Sequence, residues 1–302
     1  MPSDLLIADG QEDLMDLQTI KIFHTVAKEG SFSAAAHKLN YAQSNISIKM
    51  QQLESDMQSP LFYRHNRGIT LTSKGTLLLQ YTEKILCLLD ETSTAMLEDG
   101  VARGTLSIGS METVASMYLP KILSKYHKDC PEVILSLKTG TTTDSLELLL
   151  SHEIDLAFVA GPVTHPELKQ QTFLSEDLVL VSGNTQIPMK SWKNIGTCTL
   201  LVFQYGCSYR KTLEELLQHE EITPEHIIEF NSLSALIASI CAGVGISLLP
   251  SSIVASYIKD GLMTTYPIPE AYTVIPTVIA YRKDHFKNEA FRAFLNLSQN
   301  FL

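Results

Sequence analysis

The sequence of 302 residues predicts an α/β protein with a mainly α-helical N-terminal domain, one long linker helix and a C-terminal domain of two α/β lobes. Three observations favour this order. Apolar residues recur at helical spacing up to about residue 99, a glycine-bounded segment at 100–104 interrupts them, and short apolar runs alternate with helical patterns beyond it. We expect domains over 15–72, 73–99 and 104–302, the last with one lobe at about 104–175 and 276–302 and the other at about 176–275.

The N-terminal domain begins with two helices across a tight turn. Alanines at 34, 35 and 36 leave little side chain outside the backbone, so two helices can cross closely there. The apolar residues of the second helix recur at spacings of four, three and four, and therefore share one face: Ile46, Met50, Leu53 and Met57. The opposite face carries short or amide side chains that suit hydrogen bonding to base edges, although a plain solvated face would look the same.

A short basic hairpin follows these helices. Leu61 and Phe62 supply an apolar plug, and the turn after them contains Arg64, Arg67 and Gly68. Cationic side chains on a hairpin are suited to contact with the phosphate backbone of DNA. Two helices, a turn and a basic hairpin in immediate succession predict a winged helix-turn-helix.

These segments resemble the DNA-binding domain of the LysR-type transcriptional regulators. The shared motifs are F-x-x-V-A-x-x-x-S-F-x-x-A-A-x-x-L at 23–39, Q-S-N-I-S at 43–47, L-E at 53–54, L-F-x-R at 61–64 and L-T-x-x-G at 71–75. Three positions depart from the family pattern. With Ala42 in place of a serine, we expect N-capping of the reading helix to move to Ser44 or another nearby polar group. With Gln58 in place of a glycine, we expect the left-handed C-cap to be lost, and Ile48 in place of a basic residue weakens the case for a phosphate contact there.

The charge of this domain agrees with the resemblance. The whole chain has a formal net charge of -10, which argues against a nonspecific coat for nucleic acid. Residues 16–72, however, contain six Lys or Arg against four Asp or Glu, a local excess of two positive charges. We predict that the domain contacts DNA through ten residues: Ser31, Ser33, Gln43, Ser44, Asn45, Ser47, Lys49, Arg64, Arg67 and Thr72.

The linker helix has a seam of apolar residues. From residue 73 to about 98 the pattern predicts one helix, roughly 39 Å long at about 1.5 Å per residue. Packing on the chain's own body and dimerisation both fit this seam. Dimerisation is favoured because two reading helices need a fixed separation to meet two half-sites. The predicted dimerisation residues are Leu78, Tyr81, Ile85 and Leu88.

The C-terminal part has the pattern of a sheet covered by helices. Strands are predicted at 105–109, 133–137 and 154–161 with helices at about 114–128 and 144–151, a βαβαβ order that implies a mainly parallel sheet. A second series has strands at 178–183, 200–203 and 245–250 and helices near 208–220 and 232–242; a strand at 277–282 and a helix near 288–297 return to the first sheet. This half is similar to the effector domain of LysR-type regulators, itself like periplasmic binding proteins.

Ligands of such sheets bind at strand C-termini and helix N-termini, where unpaired N–H groups favour an anion. The matching predicted effector-binding residues are Ser110, Thr113, Thr141, Thr142, Phe203, Cys207, Ser208, Asn231 and Gly245. Each hydroxyl taken singly also fits a simple helix cap. Arg210 is the one arginine in these turns, so the residues allow a carboxylate effector and leave its identity open.

Other classes of protein find less support. The five cysteines form no C-x-x-C pair, and residues 1–14 lack a cationic segment and an apolar core, so we expect reduced thiols, no signal peptide, no membrane segment and a cytoplasmic location. Gly243-Val244-Gly245 lacks the third glycine of a dinucleotide loop, and His152-Glu153 has no second histidine for a zinc-protease helix. We expect no enzyme, no cofactor and no metal.

The sequence thus predicts a transcription regulator that binds double-stranded operator DNA and a small anionic effector, with RNA polymerase as a candidate partner. The resemblance implies a homotetramer assembled as a dimer of dimers. Two alternatives stay open. Peroxide-sensing members of the family carry a reactive cysteine near the position of Cys207, but the next cysteine here is Cys241. The C-terminal part would also suit a small-molecule binding protein without DNA function.

Overall fold

The computed structural model describes residues 15–65, 68–96, 100–184 and 192–301. The chain separates into two compact units, Met1–Thr92 and Ser93–Leu302. The first unit has the order helix, helix, helix, hairpin and long helix: α1 (Leu17–Glu29), α2 (Phe32–Leu39), α3 (Gln43–Asp56), β1 (Phe62–His65), β2 (Gly68–Leu71) and α4 (Ser73–Ala95). This is the predicted winged helix-turn-helix followed by the linker helix.

One apolar core holds the three helices and the hairpin of the first unit together. It buries the predicted face of α3 with the small residues of α2 and the apolar plug: Ile22, Phe23, Val26, Ala35, Ala36, Ile46, Met50, Leu53, Leu61 and Phe62. Ala35 and Ala36 are buried where the helices meet, as expected from their size. The periodicity of α3 was therefore sufficient to separate its core face from its solvent face.

The start of α3 differs from the expectation. Its N-cap residue is Ala42, and no side chain accepts a hydrogen bond from the first turn. The prediction that Ser44 or a nearby polar group caps this helix is wrong, because α3 begins at Gln43 and Ser44 lies inside the first turn. The amide groups at the start of α3 are consequently left for an external partner.

The end of α3 also differs from the expectation. Gln58 has φ +47° and so adopts the left-handed conformation that a glycine usually provides. The Gln58 N–H donates to the Ser55 carbonyl and the Ser59 N–H to the Glu54 carbonyl, both at 3.0 Å. This is a Schellman C-cap, so the predicted loss of the cap is wrong. The glutamine accepts the left-handed conformation at a cost of about 1–2 kcal/mol.

The second unit contains a mixed sheet. Its nine strands within the described residues are β3 (Gly104–Ser110), β4 (Val133–Thr139), β5 (Leu156–Ala160), β6 (Leu168–Gly183), β7 (Thr199–Phe203), β8 (His226–Phe230), β9 (Ile246–Pro250), β10 (Met263–Tyr266) and β11 (Val274–Arg282). The helices are α5 (Glu112–Met117), α6 (Leu119–Asp129), α7 (Thr142–Leu150), α8 (Ser208–His219), α9 (Leu233–Cys241), α10 (Ser251–Lys259) and α11 (Glu289–Gln299).

Several predicted elements needed correction. The single helix expected at 114–128 is two helices, α5 and α6, which meet at Tyr118 just before Pro120. The elements β8, α10 and β10 were not predicted. All but the last residue of β8 are exposed, so the strand lacks the alternating burial that reveals most strands. Parallel pairing holds for β3 with β4 and β5 and for β7 with β8, whereas β6 and β11 are antiparallel to their partners.

The strand β6 joins the two lobes of this unit. Its residues 168–177 pair with β11, and its residues 178–183 pair with β9 or β10. The first lobe contains β3, β4, β5, β11 and the first part of β6, and the second lobe contains the rest. The predicted return of the last strand to the first sheet is confirmed, because β11 pairs with β5.

A buried carboxyl group, that of Glu176, lies on β6 where the strand passes between lobes. Only 3% of Glu176 is exposed. The Tyr209 hydroxyl donates a hydrogen bond to it at 3.0 Å, and the hydroxyls of Ser252 and Thr277 donate at 3.4 and 3.5 Å. Burial raises the pKa of Glu176 above its ordinary value, although these hydrogen bonds oppose the shift.

We predict that Glu176→Gln stabilises the protein at neutral pH. Since the pKa of Glu176 is raised in the folded state, its contribution to stability is greatest at low pH and falls as pH rises from the ordinary value of 4.5 through the folded value. The glutamine keeps an acceptor for Tyr209 without a charge. Thermal unfolding should show a midpoint higher by a few degrees at pH 7.5, where about 2–4 °C corresponds to 1 kcal/mol, and a smaller difference at pH 4.5.

The matched control is Glu147→Gln, which removes an exposed carboxylate from α7. It should leave the midpoint within about 1 °C of the parent chain at both pH values. A Glu176→Gln variant with the same pH dependence as the parent would show that this carboxyl group is not the titrating group at the lobe junction.

Candidate functional site

Five of the predicted DNA-binding residues come together in a surface depression of the first unit. The depression has a volume of about 310 Å³ and is lined by Ser31, Phe32, Ser33, Gln43, Ser47, Arg64, His65, Gly68 and Ile69. It therefore lies where the starts of α2 and α3 meet the hairpin. Gln43, Ser44 and Asn45 are exposed on the first turn of α3, whose uncapped amide groups favour a nearby anion.

Arg64 of the hairpin is held by two contacts. Its guanidinium lies 5.3 Å from the centre of the Phe32 ring, and its Nη2 is 3.4 Å from the Glu54 carboxylate. The same carboxylate accepts the N–H groups of Leu61 and Phe62 at 2.7 and 3.1 Å. Glu54 thus fixes the start of the hairpin to the end of α3. The sequence motif contained this residue, but no role was predicted for it.

The other predicted DNA-binding residues have varied surroundings. The Ser31 hydroxyl caps α2 by accepting the Ala34 N–H, and Lys49 lies 4.0 Å from the Asp16 carboxylate. Thr72 is buried; its hydroxyl donates to the Pro60 carbonyl and accepts the Gly75 N–H, so the structure gives it a role in ordering the start of α4. Arg67 lies outside the described residues.

Part of the apolar seam of α4 is exposed. Leu77, Tyr81 and Leu88 lie on one helical face and are 46%, 57% and 56% exposed. Leu78, which was predicted to dimerise, packs instead on the core of its own unit, and Ile85 is half-buried. Leu77 was not predicted, because the three-four spacing selected its neighbour Leu78.

The second unit contains a cavity of about 170 Å³ between its lobes. Its lining residues are Met111, Glu112, Thr113, Thr139, Gly140, Thr141, Thr142, Phe203, Gln204, Cys207, Ser208, Tyr209 and Asn231. They follow the carboxyl ends of β3, β4, β7 and β8, the edge at which α/β sheets bind ligands. Seven of the nine predicted effector-binding residues are among them: Thr113, Thr141, Thr142, Phe203, Cys207, Ser208 and Asn231.

The other two predicted residues do not line the cavity. Ser110 is fully buried, and its hydroxyl donates to the Met111 carbonyl. Gly245 contacts the backbone of β7 so closely that an added Cβ would lie 2.2 Å from the Thr199 carbonyl oxygen. Sequence reasoning missed six lining residues, because no single-residue signal distinguishes them from ordinary residues of turns and helices: Met111, Glu112, Thr139, Gly140, Gln204 and Tyr209.

Three hydrogen bonds cross between the lobes at this cavity. The Ser208 hydroxyl donates to the Thr142 hydroxyl at 3.1 Å, and the hydroxyls of Thr113 and Tyr209 are 2.9 Å apart. The Glu112 carboxylate accepts the Leu233 N–H at 2.9 Å. Each bond joins a residue before β6 to one after it, so the arrangement of the lobes determines whether these bonds can form.

The charge around the cavity differs from the expectation of a carboxylate site. Arg210 does not line it; its guanidinium pairs with Glu214 at 2.7 Å, with Glu229, and with the Phe203 carbonyl. The start of α7 is closed by a capping box between Thr141 and Asp144. Among the described lining residues, Glu112 is the only charged side chain, and it is negative.

Cys207 is the N-cap residue of α8 and lines the cavity. Burial raises the pKa of its thiol, although the Arg210 and Tyr209 N–H groups oppose the shift by hydrogen bonding. A raised pKa disfavours the thiolate that oxidation requires, so the redox alternative is not favoured. None of the helices in the described part of the chain combines the length and the apolar character of a membrane-spanning segment. In the same residues, no cluster of three or more His, Cys, Asp or Glu could hold a metal ion.

Comparison with known proteins identifies both parts of the chain. Residues 17–76 match the family model "Bacterial regulatory helix-turn-helix protein, lysR family", and residues 99–302 match "LysR substrate binding domain". The chain is 45% identical over 281 residues to the HTH-type transcriptional regulator GltR of Bacillus subtilis, covering 93% of this chain and 95% of that protein. It is 41% identical to the HTH-type transcriptional regulator CzcR of Bacillus thuringiensis, covering 94% of each.

Solved structures agree with the fold. A full-length OxyR variant from Pseudomonas aeruginosa superposes with a TM-score of 0.68 at 21% identity, covering 94% of this chain and 93% of that one. Full-length CbnR in complex with its target DNA superposes with a TM-score of 0.66 at 25% identity, covering 95% of this chain and 100% of that one. On the two family models and on relatives above 40% identity over nearly the whole chain, this protein belongs to the LysR family of DNA-binding transcriptional regulators.

Proposed function

We propose that this regulator reads operator DNA with α3 and the β1–β2 hairpin, and that a small molecule bound between the lobes of the second unit controls its activity. The observation that carries the proposal is convergence: residues from four separate turns line one cavity, and hydrogen bonds between the lobes cross it. We infer that regulation, rather than catalysis, is the chain's function, since the family consists of transcriptional regulators.

The surface of the first unit supports a division of labour toward DNA. Gln43 and Ser47 lie on the exposed side of the first two turns of α3 and can reach base edges, while Arg64 on the hairpin can contact phosphate. The cation–π contact with Phe32 and the pair with Glu54 hold Arg64 in position before DNA arrives. Full-length CbnR, which is 25% identical to this chain, has been solved in complex with its target DNA, and this supports DNA binding by a protein of this fold.

The cavity of the second unit supports control by a ligand. A ligand shifts a conformational equilibrium only by its differential affinity for the two states. Contacts to both Thr142 and Ser208 would depend on how far apart the lobes lie, so a ligand there favours one arrangement of the lobes over another. We propose that Thr113, Thr141, Thr142, Ser208 and Asn231 supply its polar contacts.

The exposed face of α4 supports self-association. Leu77, Tyr81 and Leu88 present apolar surface along one side of the helix, and a second copy of the same helix would bury it. We propose a homo-oligomer in which α4 pairs, with the dimer of dimers as its larger form. RNA polymerase as a partner, the cytoplasmic location and the domain boundaries at 72, 99 and 104 belong to this proposal.

We predict different DNA phenotypes for the helix and the hairpin. Gln43→Ala and Ser47→Ala should each cost about 1–3 kcal/mol at particular base pairs, because they remove direct contacts to bases. Arg64→Ala should weaken binding to operator and random DNA alike and flatten the salt dependence, because it removes a phosphate contact. Anisotropy titrations at several salt concentrations measure both effects.

The control is Lys125→Ala, which removes an exposed positive charge from α6 and should leave both affinities unchanged. Equal losses on operator and random DNA for all three variants of the DNA-binding domain would contradict the assigned roles.

We predict that Leu88→Asp breaks the oligomer and weakens operator binding with it. Leu88 is 56% exposed, so aspartate there should leave the fold of each unit intact while placing charge in the proposed helix pair. Ile85→Asp, at the half-buried centre of the seam, should act in the same direction. Sedimentation velocity and operator titration are the measurements, with Leu262→Asp at an exposed turn of the second unit as control. An unchanged oligomer in Leu88→Asp would reject pairing through α4.

We predict that Thr142→Val and Ser208→Ala reduce effector affinity by about 0.5–1.5 kcal/mol for each neutral hydrogen bond lost. A library of small metabolites can be screened by thermal unfolding of the full chain, and each hit titrated by calorimetry. Ser110→Ala is the matched control, because it removes a hydroxyl that bonds to the Met111 carbonyl outside the cavity. Hits that bind all variants equally would place the effector site elsewhere.

A further inference from the structure

We propose that the effector carries a protonated amine, which binds the carboxylate of Glu112. The inference rests on the proposed function of the cavity and names the chemical class that it accepts. It replaces the simple anion expected from the sequence, since Glu112 is the one charged side chain among the described residues that line the cavity.

The carboxylate of Glu112 has one oxygen in use and one available. Its Oε2 accepts the Leu233 N–H across the cleft at 2.9 Å, which fixes the side chain at the wall of the cavity. Among the described residues, no donor bonds to Oε1. A charged acceptor held in place beside a small cavity is suited to a cationic donor, and hydrogen bonds to charged groups are the stronger ones.

No cationic side chain balances this carboxylate inside the cavity. Arg210, the nearest candidate in the sequence, is occupied by the carboxylates of Glu214 and Glu229 and by the Phe203 carbonyl. A bare anion would therefore meet Glu112 without a compensating charge, and like charges in a partly desolvated site repel strongly. A ligand with a positive group removes that cost.

The rest of the cavity is suited to a neutral or carboxylate end of the same small molecule. Its volume of about 170 Å³ has room for a small metabolite. The hydroxyls of Thr142 and Ser208 also line the cavity and can bond to that end. Amino acids and simple amines both satisfy the requirement at Glu112, and the test separates them.

The test measures the binding of three matched sets of probes to the full-length chain. Binding is detected by the shift in the thermal unfolding midpoint and is quantified by calorimetry. The first set is small amino acids, such as alanine, serine, glutamate and glutamine. The second is the nitrogen-free acids of similar size, such as propionate, lactate and glutarate. The third is small amines without a carboxylate. We expect at least one amine-bearing probe to bind, and the nitrogen-free acids to bind more weakly or not at all.

The decisive variant is Glu112→Gln. Glutamine keeps the shape and an acceptor oxygen for the Leu233 N–H, so it removes only the charge. Affinity for the amine-bearing probe should fall about 10- to 100-fold, the effect of losing a charged hydrogen bond. Glu147→Gln, which removes an exposed carboxylate outside the cavity, should leave affinity unchanged.

The outcomes separate this inference from the proposed function. If probes bind and Thr142→Val or Ser208→Ala weakens them while Glu112→Gln does not, the cavity is the site but the amine class is wrong. Nitrogen-free acids that bind as tightly as their amino counterparts, or an absence of binding by every amine-bearing probe, would also overturn the inference. Binding that is indifferent to all three variants would overturn the cavity itself.

Discussion

The antiparallel pairing of β6 with β11 is the constraint on which the arrangement of the two lobes of the second unit depends. Nine residues of β11 pair with the first part of β6, and β6 then continues into the sheet of the second lobe. Because one strand belongs to both sheets, the strand ends of the two lobes meet around a common cavity. The buried Glu176 lies at this passage, with hydroxyls from both lobes bonded to its carboxyl group. Burial raises the pKa of this carboxyl group, and its hydrogen bond with Tyr209 joins β6 to α8 of the second lobe.

In the first unit, too, single polar side chains make several structural contacts. Glu54 accepts two backbone N–H groups at the start of the hairpin and also pairs with Arg64. A single carboxylate therefore connects α3 to the hairpin. Ser31 and Thr72 use their hydroxyls in capping and loop contacts. Residues predicted from the motif to bind DNA can therefore also stabilise the domain itself through hydrogen bonds. Substitution of such residues would change DNA affinity indirectly, through the orientation of α3 and the hairpin.

The cavity illustrates the difference between shape and charge in a ligand site. Its position follows from the sheet topology, and its hydroxyls follow from residues that terminate strands and begin helices. The charge of the cavity depends on which of the nearby ionic side chains form ion pairs outside it. Arg210 faces carboxylates on α8 and β8, whereas Glu112 reaches across the cleft to a backbone amide. The site consequently differs in charge from the one that the same turns suggest when they are considered alone.

Sequence alone determined most of the elements and their order, because burial imposes a periodicity that most helices and strands display by themselves. It identified the core face of α3 and the basic hairpin. It also identified the turns after β3, β4 and β7 and the position of Asn231, which together contain most of the cavity residues. It failed where burial was not periodic, as in β8, or where a turn residue such as Tyr118 divided a helical pattern.

Tertiary structure decided which polar groups form hydrogen bonds and which partners they have. The Ser110 hydroxyl bonds to its neighbour's carbonyl, and Glu112 bonds to Leu233, 121 positions away. Leu78 faces its own core while Leu77 does not. These outcomes depend on distances between elements that are far apart in the chain. Since local propensity and periodicity contain no information on such distances, the chemistry of the cavity emerged only from the packed structure.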